Sequence, residues 1–203
     1  MKHKISYASL TFALAGVLIA SLALGNENSS SQKLDPKMQE MMKKAEAACT
    51  PGPAHKALEP LVGDWNAEVK MWMAPDAPPT ITKGTAKCTW TLKERFVQQE
   101  FNGEFMGKPF HGLSFTGYDN VRQKYRSVWI DDMSTTMVTS EGDADADGKV
   151  ITLGGNYACA MTGEKNKATT QIYRVLSPDK HVFEMYDPAQ GNSKTMEITY
   201  TRK

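Results

Sequence analysis

The pattern of apolar and polar positions changes period at Trp65. Upstream, apolar residues recur at helical spacing. From Trp65 onward they alternate one by one, as they do along half-buried strands. Trp65, Val69, Met71 and Met73 alternate with Asn66, Glu68, Lys70 and Trp72. The same reading places strands near 64–73, 81–92, 95–105, 108–118, 124–132, 135–142, 148–159, 167–176, 180–187 and 194–202. Turn-forming residues separate them: Pro75-Asp76-Ala77-Pro78-Pro79, Asn102-Gly103, Tyr118-Asp119-Asn120, Asp147-Gly148, Thr162-Gly163, Ser177-Pro178-Asp179 and Gly191-Asn192. About ten strands joined by short loops predict a mainly β fold, an antiparallel up-and-down meander. Closing it into a barrel removes the two exposed edges.

Alternation also predicts which face lines the barrel. The Trp65 face of the first strand points inward. In the last strand Met196, Ile198 and Tyr200 alternate with Thr195, Glu197 and Thr199. In the fifth, Tyr125, Ser127, Trp129 and Asp131 share one face, and Arg126, Val128 and Ile130 share the other. Both faces there are mixed, so the pattern leaves the inward side open. An aromatic-plus-acid face turned inward would set fixed polar groups among aromatics, as ligand pockets do.

Ahead of the strands, Asp35-Pro36 reads as an N-cap followed by proline at the first helical position. Met38, Met41, Met42 and Ala45 then fall on one helical face, and Pro51-Gly52-Pro53 stops the helix. The methionine stripe suits packing on the barrel's flank or mouth, or a partner-binding face. Residues 55–62 read as one or two helical turns that close one end of the barrel. Residues 26–34 are rich in Asn and Ser and read as a tether. Lys2 and Lys4, an apolar run over about 10–24 and the small residues Ala23 and Gly25 have the anatomy of a secretory signal peptide. The expected organisation is therefore a signal peptide over 1–25, a tether and amphipathic helix over 26–50, and one barrel domain over 51–203. Export to the periplasm or the extracellular space follows, with no span left once the leader is removed; the alternative is an uncleaved anchor.

Charge and cysteine content narrow the chemistry. Without residues 1–25 the formal charge falls from +1 to −1, which gives no electrostatic footprint for nucleic acid. Cys49, Cys88 and Cys159 are an odd set, too widely spaced for a CxxC motif. In an oxidising compartment one disulfide is possible. Asp143-Ala144-Asp145-Ala146-Asp147-Gly148 matches the start of a calcium loop, but Gly154 stands where its bidentate glutamate belongs. An acidic hairpin turn explains the run as well. His111, inside a predicted strand, is a candidate haem or metal ligand, whereas His55 and His181 have no partner at ligand spacing. Asn66, Ala67 and Glu68 after Trp65 depart from the Gly-x-Trp-x-Gly-x-Gly run of nitrobindin-type haem barrels. No nucleophile elbow or phosphate-binding glycine loop is present. Arg202, at the end of the last strand, is placed to lay its guanidinium over Trp65.

Several stretches together resemble one family. They are Pro51-Gly52-Pro53-Ala54-His55-Lys56, Leu61-Val62-Gly63-Asp64-Trp65, Gln98-Gln99-Glu100-Phe101 with Gly103-Glu104-Phe105-Met106-Gly107, Gly112 through Asn120, Trp129-Ile130-Asp131 and Met196 through Lys203. The chain from about residue 50 to its end is identified as a member of the bacterial DUF1579 family. The resemblance implies a lipocalin-like, calycin-type barrel and supplies no catalytic residues to carry over. The reading is a barrel that holds a small, partly apolar molecule in its lumen. Trp65, Tyr118, Trp129 and Tyr200 are the candidate apolar wall, and Glu100, His111, Asp131 and Glu184 the candidate orienting contacts. No cofactor is assigned and the oligomeric state is open. A haem or metal barrel, an enzyme using lumen carboxylates, and an envelope interaction module are the alternatives.

Overall fold

Ten strands form in the order expected: β1 (Gly63–Met71), β2 (Thr80–Thr91), β3 (Phe96–Phe105), β4 (Lys108–Asp119), β5 (Lys124–Asp131), β6 (Val138–Ala144), β7 (Val150–Tyr157), β8 (Lys167–Ser177), β9 (Lys180–Asp187) and β10 (Ser193–Arg202). Two helices precede them, α1 (Pro36–Cys49) and the short α2 (Pro53–Lys56), with a 3-10 turn at Glu59–Leu61. The computed structural model describes residues 35–203. The expected leader and tether lie outside the described residues. Among the described residues no helix is long and apolar enough to cross a membrane.

Each strand pairs antiparallel with its neighbour in sequence, and β10 returns to β1 to close the barrel. The closing register runs from Trp65 opposite Arg202 to Met71 opposite Met196. No strand of the barrel keeps an unpaired edge, the usual route to edge-to-edge aggregation. Inward positions follow period two. Trp65, Ala67 and Val69 of β1, Ala86 and Cys88 of β2, Val97 and Phe101 of β3, Ile151 and Leu153 of β7, and Ile198 and Tyr200 of β10 form the buried core.

One turn differs from expectation. Asn102-Gly103 does not break a strand; both residues lie inside β3, paired with His111 and Phe110. Gly103 is needed there because a Cβ would lie 2.8 Å from the Phe101 ring. The β2–β3 connection falls between the expected strands and runs through Leu92, Lys93 and Glu94, all with positive φ (50°, 58° and 61°). Three consecutive non-glycine residues in the left-handed region are costly. Arg95 Nη1 braces the turn by donating to the Leu92 and Lys93 carbonyls, and its Nη2 donates to Cys49 O at 2.8 Å.

α1 begins as the sequence indicates, with Asp35 Oδ1 accepting from Lys37 N. Met38, Met41 and Met42 are exposed. The carbonyls left over at its C-terminus are met by side chains: Asn120 Nδ2 donates to Ala48 O and Thr50 O, beside the Arg95 bond to Cys49.

Segment 53–62 closes one end of the barrel. Its own Leu58 and Leu61 are buried in the core. Tyr125 OH donates to Ala54 O, Trp90 Nε1 to Glu59 Oε2, and Trp65 Nε1 to Leu61 O. Arg202 locks the closure. Its guanidinium lies 4.2 Å from the Trp65 ring centroid while donating to Val62 O, Pro178 O and Asp179 Oδ1. Gly63, at φ +142°, leaves room for it, since a Cβ there would lie 2.2 Å from Nη1. Arg202→Ala removes a cation–π contact and several carbonyl caps, and should cost about 1–3 kcal/mol, read as a lower urea midpoint.

Candidate functional site

The strands that leave the closed end carry polar side chains into the middle of the lumen. Gln99 of β3, Ser114 and Thr116 of β4, Ser127 of β5, Ser140 of β6, Gln171 and Tyr173 of β8 and Tyr200 of β10 all face inward. They satisfy one another in short chains. Ser114 Oγ donates to Gln99 Oε1 (3.3 Å), and Gln99 Nε2 to Tyr200 OH (3.1 Å). Thr116 Oγ1 bonds Ser127 Oγ (3.2 Å), and Ser140 Oγ donates to Gln171 Oε1 (3.1 Å). The Tyr173 phenol lies beside Ser127 and Thr116. Burial pushes the phenols of Tyr173 and Tyr200 above the usual tyrosine range and the Cys88 thiol up to about 12, so all three are neutral at pH 7.

Between this polar belt and the closed end is a cavity of about 20 Å³. Gln99, Ser114, Thr116, Tyr173, His181 and Tyr200 form its polar wall, and Leu61, Cys88 and Val97 the rest. No Asp, Glu, Lys or Arg lines it. His181 is 3 % exposed. Its ring stacks on Tyr200 (centroids 4.4 Å, 17°) and meets Trp65 edge-on (4.4 Å, 87°). Burial, with Arg202 nearby, pushes its pKa down to about 4. His181 Nδ1 has no hydrogen-bond partner, the single such buried side-chain atom among the described residues.

The far half of the lumen is filled by aromatics. Phe101 is buried, and Phe110 packs on it edge-on and stacks with Trp129. The Trp129 indole sits where a Cβ on Gly112 would be, 2.2 Å from its ring atoms, and donates to Asp131 Oδ2 at 3.0 Å.

The residues singled out from sequence separate accordingly. Trp65 and Tyr200 reach the cavity region from the closed end. Tyr118 faces inward too, against Tyr125 and the buried His55. Trp129 and Asp131 do turn inward, but at the opposite end, where β5 finishes. Glu100, His111 and Glu184 are corrected to the outer wall. In β3 the inward set is Val97, Gln99 and Phe101, which turns Glu100 out, beside Gln98. In β4 the inward set is Phe110, Gly112, Ser114 and Thr116, which turns His111 out and exposes it. His111 is thus no lumen ligand for haem or metal.

Glu184 is buried on the outer wall under its partners. Arg174 Nε lies 2.8 Å away, Lys194 Nζ 2.5 Å, and Tyr186 OH donates to it at 3.2 Å. Lys194 also pairs with Glu197 (2.6 Å), which faces Lys70 at 3.5 Å, so the ladder crosses from β8 to β1. Burial raises the Glu184 carboxyl, and the Lys194 and Arg174 hydrogen bonds outweigh it, holding the group below the ordinary glutamate range. Glu184→Gln leaves Arg174 and Lys194 short of a charged acceptor and should cost about 1.5–3 kcal/mol in urea melts. The role of Glu184 is to hold the closing strands.

The acidic run at 143–147 is a hairpin. Asp143 pairs with Lys124 at 2.6 Å, and Asp145 Oδ1 accepts from Lys149 N and Val150 N. Among the described residues no three His, Cys, Asp or Glu side chains gather as a metal site. Cys49 is exposed, Cys88 buried and Cys159 half-buried, all three as free thiols.

Gln99, Ser114, Thr116, Tyr173 and His181 were not among the residues the sequence pointed to. Only Gln99 carried a local signal, lying between Val97 and Phe101 on one strand face; Ser114 and Thr116 neighbour each other, and no local pattern marks them.

These features define a closed, ten-stranded up-and-down β-barrel with one plugged end and a polar interior. The chain belongs to the DUF1579 family, described as "protein of unknown function", whose model matches residues 50–202. Rv2717c from M. tuberculosis is similar in fold, with 18 % identity and a TM-score of 0.57, covering 76 % of this chain and 99 % of that one. A redesigned β-barrel is 11 % identical over 72 % of this chain and 95 % of its own, TM-score 0.40. A protein of unknown function of the DUF3598 family from Nostoc punctiforme is 15 % identical over 72 % of this chain and 48 % of its own, TM-score 0.32. No curated protein matches the chain.

Proposed function

We propose that this protein binds a small, partly apolar molecule inside its barrel, and that binding rather than catalysis is its role. The observation that carries this is the buried polar belt around the cavity. The packed interior of a (β/α)8 barrel, for comparison, is dominated by bulky branched apolar side chains. Here Gln99, Ser114, Thr116, Tyr173 and Tyr200 take central positions, beside apolar Leu61 and Val97. Convergent polar groups in an otherwise apolar enclosure are how binding sites fix a ligand's orientation. At about 20 Å³ the cavity admits a water-sized group. A larger molecule therefore has to displace side chains, and the Phe101, Phe110 and Trp129 layer is the part of the lumen not tied by the polar belt. The basic start and apolar run of the first 25 residues support a role outside the cytoplasm.

Native mass spectrometry on the full chain purified from its own host tests the reading. A stoichiometric small molecule that raises the melting temperature when added back is the expected result. Apo protein from that host, together with no stabilising compound in a broad thermal-shift screen, would overturn it.

A further inference from the structure

We infer that the cavity beside His181 seats an uncharged hydrogen-bonding group, a hydroxyl or one of similar size, and rejects charged ones. This rests on the lumen-binding reading and names the chemistry of its polar end. Three observations converge on it. First, His181 Nδ1 is buried and has no partner, although every other buried side-chain polar atom among the described residues has one. A buried polar atom without a protein partner costs about 1–3 kcal/mol, so this atom favours a hydrogen-bonding group that reaches it from the cavity His181 lines. Second, the imidazole cannot turn away. Tyr200 covers one face and Trp65 closes on it edge-on, both at 4.4 Å.

Third, the cavity offers nothing to balance a charge. Its wall carries amide, hydroxyl, phenol, thiol and imidazole groups and no ionised side chain. Arg202 is the cation whose charge reaches His181, and its guanidinium is spent on Val62 O, Pro178 O and Asp179 Oδ1. The imidazole is itself neutral at pH 7, since burial holds its pKa near 4. A carboxylate or ammonium group entering here would lose its hydration without gaining a counter-charge. A hydroxyl would exchange water for His181 Nδ1 and the neighbouring Gln99, Ser114 and Tyr200 groups at little cost. The size agrees, since about 20 Å³ takes one water or the oxygen of an alcohol.

The test uses the full chain labelled with ¹⁵N-histidine at pH 7 and three one-carbon probes: methanol, formate and methylammonium. Methanol should give a saturable shift of the His181 ring nitrogens, and the two ions none at equal concentration. The methanol response should be lost in His181→Phe, with the wild-type comparison standing alone if that variant does not fold. Equal saturable shifts from formate or methylammonium would overturn the uncharged seat. The absence of any saturable methanol response would overturn the site itself. A native ligand that stays bound to folded His181→Phe would also overturn it, while leaving the lumen-binding reading intact. A methanol response in a protein that yields no native ligand and no stabilising compound in the thermal-shift screen would overturn that reading and leave the seat's chemistry standing.

Discussion

Stability should fall by about 3 kcal/mol as the pH drops from 6.5 to 4, and most of that loss should disappear in His181→Gln. The unfolded chain titrates this histidine near 6.5, whereas the folded barrel holds it neutral down to about 4. Above pH 6.5 both states are neutral and the full stability is present. Below it the unfolded state takes up a proton that the folded state refuses, so stability is lost as the pH falls toward 4. His55 adds to the loss with the same sign, because burial lowers its pKa as well. The carboxylates act mainly at the acid end of this range, and the comparison with His181→Gln removes them because they are common to both proteins. Glu184, Glu197, Asp187 and Asp119 are held below their ordinary values, and their contribution is lost as the pH falls below about 5. Urea midpoints at pH 7.5, 6.5, 5.5 and 4.5 would check it. Parallel profiles for wild type and His181→Gln would mean that the imidazole is not buried neutral in solution.

Trp65→Ala should be the most damaging single substitution in the closed end, costing about 3–5 kcal/mol. The indole is fully buried, carries the guanidinium of Arg202 on its face, packs on His181 and holds the plug by its bond to Leu61 O. Set against the 5–15 kcal/mol typical of a domain, that is a large share of the whole. The double variant with Arg202→Ala should cost clearly less than the two single losses together, because once the ring is gone the guanidinium has no face to rest on. Additive losses in a denaturant double-mutant cycle would show that the two side chains act independently.

Much of the architecture was legible because strand alternation and turn chemistry are local. All ten strands appear near their expected positions, and Asp35-Pro36 opens the first helix as its residue types require. The Trp65 face was readable because Asn66, Glu68 and Lys70 contrast with it. β4 offered no such contrast. His111, Leu113 and Phe115 on its outer face are about as apolar as Phe110, Ser114 and Thr116 on its inner one, so periodicity could not say which way His111 points. Glu184 misled for a different reason. It is buried, but under Arg174 and Lys194, which reach it from neighbouring strands on the outside.

The sequence by itself determined the number of strands, their hairpin order and the apolar seam that begins at Trp65, since each depends on residues within a turn or two of one another. Only the tertiary structure decided the site. Pairing Trp65 with Arg202 across 137 positions of chain closes the barrel and brings His181, Tyr200 and Trp65 together. That closure also sets which side of every strand is inside. A polar side chain at a strand position looks solvent-facing until closure turns it inward. Gln99, Ser114 and Thr116 therefore became a buried belt, and the unpartnered nitrogen of His181 became visible, only in three dimensions.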